Sequence, residues 1–166
     1  MILGFSYFTW FHTLLSVVAI VSGAVMMADM LRSRNAGWWT ELFLITAVAT
    51  SATGFGFPFT RFLPSHGVGV VSLLVLAVTL LARYTFSLAG AWRWIYAVGL
   101  IIAFYLNVFV LIAQFFAKVP VLKQLAPTGS EPPFAITQLV VLVAFVVLTF
   151  YAVRRFYAAR TTMARA

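Results

Sequence analysis

The sequence predicts an all-α fold, a polytopic membrane helical bundle of five transmembrane helices forming a single transmembrane domain over residues 1–166. Three observations predict it. Apolar residues make up 64% of the chain and charged residues 8%, against roughly a quarter charged in a soluble globular chain. The apolar residues fall in runs long enough to cross a hydrocarbon core of about 30 Å, which takes about twenty helical residues. Between the runs lie short turns that hold most of the basic residues, with tryptophans beside them, as expected where helices meet lipid headgroups.

The first predicted helix covers about 5–31 and ends at the basic turn Arg32-Ser33-Arg34-Asn35. Trp38 and Trp39 open the second, about 38–57. The stretch Phe55 to Gly69 then breaks the apolar run with Pro58, Arg61, Pro64 and His66. Ser65 is the expected N-cap of a third helix over about 66–88, since a serine oxygen can accept from a first-turn N–H. Trp92-Arg93-Trp94 anchors a fourth helix over about 93–116, and Val119 to Leu125 alternates apolar and basic residues after Pro120, which suits a segment lying along the membrane surface. Ser130-Glu131-Pro132-Pro133 reads as the start of the fifth helix, about 134–153. It offers a cap, an acid near the positive dipole end and prolines where a missing N–H costs little.

Charge sets the expected orientation. There are eleven Lys and Arg, three Asp and Glu and no cysteine. With five spans, eight basic residues fall in the turns after helices one and three and in the tail, and Arg61, Lys118 and Lys123 fall on the other side. The positive-inside rule then puts the N-terminus outside and the C-terminus in the cytoplasm. The basic excess is thus an orientation signal, and nucleic acid is not an expected partner. No basic region precedes the first apolar run, so a cleavable signal peptide is not expected. Without cysteine, disulfides, thiolate-bound zinc, iron–sulfur clusters, c-type haem and cysteine nucleophiles are excluded.

Helices in lipid associate through small residues and polar contacts, so stripes of both should face inward. Such stripes are His12, Ser16, Ala19 and Gly23 on helix one, Thr46, Thr50, Thr53 and Gly54 on helix two, and Gly99, Ala103, Asn107, Val110 and Gln114 on helix four. Helix five is almost wholly aliphatic from Leu139 to Leu148 and is expected at the periphery or against a partner. Asp29 follows His12, and Arg83 follows His66, by the same seventeen residues. At about 1.5 Å per residue, the two histidines come out level, and so do Asp29 and Arg83, for which an ion pair is expected. Glu41 is expected to serve as a bland partner to Arg32, Arg34 and Arg93.

The only two histidines, His12 and His66, carry the functional clue. Ionisable groups inside a bilayer are scarce and often functional. Two neutral imidazoles facing one another are the usual axial ligands of a b-type haem, with Arg61 available to the propionates. Gly67 and Gly69, and less convincingly the deeper Gly23, would let a flat macrocycle approach. The plainer reading makes His12 an interfacial residue beside Trp10 and His66 the start of helix three in water. No other metal site is expected, because two histidines without a nearby acid or thiolate fall short of three protein ligands. No nucleophile triad, P-loop or dinucleotide fingerprint is present, so no catalytic residues are assigned and an enzyme is not expected.

The runs Asn107 to Pro120 and Leu125-Ala-Pro-Thr-Gly-Ser-Glu-Pro-Pro-Phe134, with the turn Pro64-Ser65-His66-Gly-Val-Gly69, resemble a group of small uncharacterised bacterial inner-membrane proteins. The resemblance covers most of the chain and implies a multi-pass protein of the bacterial inner (cytoplasmic) membrane, but it brings no activity with it. The function expected is that of an accessory or structural subunit of a larger membrane assembly. The alternative is a bis-histidine haem b electron-transfer protein with its haem near the outer face. A small-molecule or proton carrier is the weakest reading, for want of a mid-membrane carboxylate or paired broken helices.

Overall fold

The computed structural model describes residues 6–33, 37–57 and 64–163. Every element among them is helical: α1 (Tyr7–Leu31), α2 (Gly37–Gly54), α3 (Pro64–Leu80) continued by a π-helical turn (Leu81–Thr85), α4 (Trp92–Lys118), α5 (Pro120–Leu125) and α6 (Pro132–Met163). Four segments are long and apolar enough to cross a bilayer: Tyr7–Leu31, Ser65–Thr85, Trp92–Lys118 and Pro132–Arg155. The second helix is not among them. Its eighteen residues reach about 27 Å, but Thr40, Glu41, Thr46, Thr50, Ser51 and Thr53 dilute its apolar character.

The element ends follow from local chemistry. Ser6 caps α1 through its side chain on the Thr9 N–H. Arg155 donates from Nη1 to the Leu31 carbonyl at 2.7 Å, so a cation on α6 satisfies the carbonyl-rich end of α1. Helix α3 begins at Pro64, which places Ser65 inside the helix instead of at its cap; proline suits a first turn because its absent N–H would have had no partner there. The predicted run to Leu88 stops at the π-helical turn, after which Ser87 and Leu88 take φ of 49° and 57°, a left-handed conformation that ends a helix. At the other connection Glu131 does not cap α6. Its carboxylate accepts from the Thr128 and Ser130 N–H groups at 3.0 and 3.1 Å and from the Thr128 hydroxyl at 2.9 Å, so it ties the loop, and those bonds push its carboxyl down to about 2. Helix α6 runs ten residues past the predicted Val153.

Helices α1, α2, α3 and α4 pack in a ring, each against the next and α4 back against α1, while α1 and α3 share no substantial interface. Helix α6 lies outside the ring against α4 and α1, and α5 lies against α4. Few α6 side chains are covered; Leu139, Val140, Val143 and Val146 are all more than half exposed, as expected for the aliphatic last helix. Helix α2 starts at the end where α1 and α3 finish, because Glu41 meets Arg83 there. It finishes where they start, because Thr53 meets His12. These are the arginine end and the histidine end of the bundle.

The core lies toward the arginine end. Met26 of α1, Phe43 of α2, Leu76 of α3, and Leu100 and Ile101 of α4 are each at most 2% exposed, so all four ring helices contribute to one dry layer. Small residues bring the helices together there. A Cβ on Gly99 would lie 2.2 Å from Thr79 Oγ1, and one on Gly23 would lie 2.5 Å from Phe104 Cδ2. Gly23 therefore makes room for Phe104 and not for a cofactor.

Arg83 does not pair with Asp29. It forms an ion pair with Glu41 and donates to Tyr96 Oη at 2.6 Å, and the Tyr84 hydroxyl donates to Glu41 Oε2 at 2.8 Å. Level residues meet only if their helices are neighbours. Helix α2 stands between α1 and α3, so its acid takes the arginine. This also corrects the expected pairing of Glu41 with Arg32 and Arg93. Arg93 Nε is buried without a protein partner.

A candidate binding cavity at the histidine end

Toward the histidine end the same four helices separate around a cavity of about 440 Å³, within the usual range of about 300–1,000 Å³ for small-molecule and cofactor sites. Helix α1 contributes Thr9, His12, Thr13, Ser16, Val17 and Ile20; α2 and its following turn contribute Thr50, Ser51, Gly54, Phe55 and Phe57. Ser65, His66, Val68, Gly69 and Ser72 come from α3, and Leu106, Asn107, Val110, Leu111, Gln114 and Lys118 from α4. The inward stripes expected on α1, α2 and α4 are inward, but each divides. One half packs in the dry layer, and the other lines open space.

The two histidines reach this cavity from helices that are not packed neighbours. His12 is half-buried, and its Nδ1 lies 2.9 Å from Thr53 Oγ1. The Phe57 ring meets its ring edge-on, 5.0 Å between centroids at 88°. His66 is 5% exposed, its ring 5.7 Å from that of Phe55. His66 is the third residue of α3 and is buried there instead of facing water. Arg61 lies outside the described residues, as does the Pro58 turn. The described cation on the cavity wall is Lys118, the last residue of α4.

The wall is apolar with polar groups set into it, and several of these are satisfied within the protein, as buried polar groups usually are. Ser16 donates to the His12 carbonyl, Ser51 and Ser72 share a hydrogen bond of 3.0 Å across α2 and α3, and Asn107 donates to the Ala103 carbonyl. Among the described residues of the wall, Thr50 is the one with a buried oxygen left over. Its Oγ1 is buried without a partner, although Thr46 and Thr53, one turn before and after, both donate to the carbonyl four residues back. Gly69 is on the wall, but a Cβ there would lie 3.1 Å from the Phe55 ring; it seats that phenylalanine, and Gly67 does not line the cavity. Thr13, Val17, Gln114 and Lys118 both line the cavity and are exposed, so the mouth runs from the end of the bundle down the seam between α1 and α4. Val17 lies ten residues into α1, about 15 Å along it. Below that level the Met26, Phe43, Leu76 and Leu100 layer closes the space.

Among the described residues, no group of three or more His, Asp or Glu side chains could hold a metal ion. The site offers two imidazoles, hydroxyls, amides and one lysine. Thr50 and Asn107 of the wall, and Thr53 beside His12, stood in the sequence as members of packing stripes, and nothing in their spacing separated wall from core. The chain matches no protein family, no curated protein and no solved structure.

Proposed function

We propose that the protein is a b-type haem carrier of a bacterial inner membrane, with His12 and His66 as the two axial ligands. The observation that carries this reading is that the only two histidines, on two ring helices without a substantial shared interface, line one cavity. Two ligands on opposite faces of a flat group need such a separation, and directly packed helices would leave no space for it. The donor set fits, since neutral imidazoles ligate haem iron without help from acids or thiolates. When bound, the group supplies one-electron transfer; the chain supplies two ring nitrogens, aromatic side chains against both rings and Lys118 for an acidic edge. The proposed topology has five spans. Helix α2 counts as one because it links opposite ends of the bundle, and its polar face turns toward the cavity. The histidine end faces outward and the C-terminus is cytoplasmic, following the loop charges. The cavity then opens on the outer side and is closed toward the cytoplasm.

An absorbance spectrum tests this. Protein expressed with haem supplied and purified in mild detergent is expected to show a Soret band with sharp low-spin bands on reduction, and His12→Ala or His66→Ala is expected to abolish them. A wild-type protein that folds without a Soret band overturns the reading. The second reading, an accessory subunit, is favoured by the long uncovered face of α6. Lipid covers such a face equally well, and a native mass showing a monomer with no partner in mild detergent would remove it.

A further inference from the structure

His12 offers the cavity one particular nitrogen. A threonine hydroxyl has one proton, and Thr53 directs its own to the Ala49 carbonyl at 2.7 Å, with Thr50 O at 3.2 Å as a second acceptor. At His12 the Thr53 oxygen can then only accept, so the 2.9 Å contact is an N–H donation from Nδ1. A neutral imidazole has a single N–H. The lone pair therefore belongs to Nε2, which has no protein hydrogen bond and is not buried. The Phe57 ring stands edge-on against the imidazole, 5.0 Å between centroids, and packs its position.

We infer that Thr53 is a positioning residue that holds His12 in the Nδ1–H form, so that Nε2 is the nitrogen presented to whatever ligates in the cavity. Thr53 is the side chain within hydrogen-bond distance of Nδ1, whereas Ser16 bonds the His12 carbonyl and Thr50, one turn deeper, makes no bond to any protein group. The polarity originates in the helix itself: a carbonyl of α2 orients a hydroxyl, and the hydroxyl orients an imidazole on α1. A partner on the second ring nitrogen fixes the tautomer and raises the basicity of the ligating nitrogen. The role toward iron rests on the haem reading, but the tautomer does not.

The test separates the two. In protein labelled with ¹⁵N-histidine, His66→Gln leaves one imidazole signal, which is expected to report the Nδ1–H tautomer. Thr53→Val keeps the side-chain shape without the acceptor and is expected to release the ring to a mixture of tautomers, whereas Thr53→Ser is expected to keep it fixed. An Nε2–H tautomer with Thr53 intact overturns the inference without any variant, as does a tautomer unchanged in a folded Thr53→Val. With both histidines present and haem supplied, Thr53→Val is expected to weaken haem binding by about tenfold, the lower end of the usual effect of losing such a partner, and Thr53→Ser is expected to restore it. A wild type without a Soret band ends the haem reading and leaves the tautomer result to decide the role of Thr53; a Soret band with equal affinity in Thr53→Val ends the positioning role alone.

Discussion

The two ends of this bundle are built from the same four helices and differ in what their inward faces carry. Toward the arginine end the faces present Met26, Phe43, Leu76, Leu100 and Phe104 around Gly23 and Gly99, and the space fills. Toward the histidine end they present Thr, Ser, Asn and His between apolar residues such as Ile20, Leu106 and Leu111. Short hydroxyls turned back on their own helices have no length to cross the middle, and the space stays open. The difference teaches that small residues close a helix interface where a large side chain from the facing helix enters the volume they release, as Phe104 does at Gly23.

The same chemical change made at both ends should have opposite outcomes. Gly99→Ala puts a methyl within 2.2 Å of Thr79 Oγ1, on a side chain that is 0% exposed and already bonded to the Val75 carbonyl. It is expected to destabilise the protein by about 1–3 kcal/mol, as overpacking does. Gly54→Ala meets only an ordinary contact at 3.8 Å and is expected to leave thermal unfolding in detergent unchanged or slightly raised. Equal effects of the two would break the contrast between a filled and an open end.

A smaller effect belongs to the charged cluster. Glu41→Gln removes the charge partner of Arg83 but leaves its bond to Tyr96. Both partners of the ion pair are about a third exposed, at 29% and 31%. The expected cost is therefore about 1 kcal/mol, read from the same unfolding assay. A loss as large as that for Gly99→Ala would mean that the ion pair, and not packing, closes this end. The smallest effect lies outside both ends, at the loop before α6. Glu131 has its carboxyl lowered from 4.5 to about 2, so the unfolded chain holds the proton more tightly than the folded one. The loop's stabilisation is then full above about pH 4.5 and lost as pH falls through about 2. Amide exchange at Thr128 and Ser130 is expected to lose protection over that window and not above it. Glu131→Gln should remove the pH dependence.

Much of the fold was legible because bilayer length and apolar content constrain a chain strongly. The helices after the basic turn, after Pro58 and after Gly90 lie where the apolar runs place them, and the aliphatic last helix is peripheral. The misplaced ends have local causes. Ser65 lost its capping role because Pro64 begins the helix one residue earlier, and the third helix stops before Leu88 because a π-helical turn and left-handed residues intervene. Neither Ser87 nor Leu88 announces such a conformation. Of the candidate site, His12 and His66 were found by scarcity and depth, while Thr50 and Thr53 were hidden among residues that also pack.

The sequence by itself determined that the chain is helical and membrane-like in composition, and which small and polar residues share a helix face. These are one-dimensional facts, set by rise per residue and by periodicity. Only the tertiary structure decided that Arg83 meets Glu41 instead of Asp29, that both histidines line one cavity, and that Thr53 stands beside the His12 ring. Each depends on which helices are neighbours and on how each is turned about its axis, and a linear count along single helices contains neither.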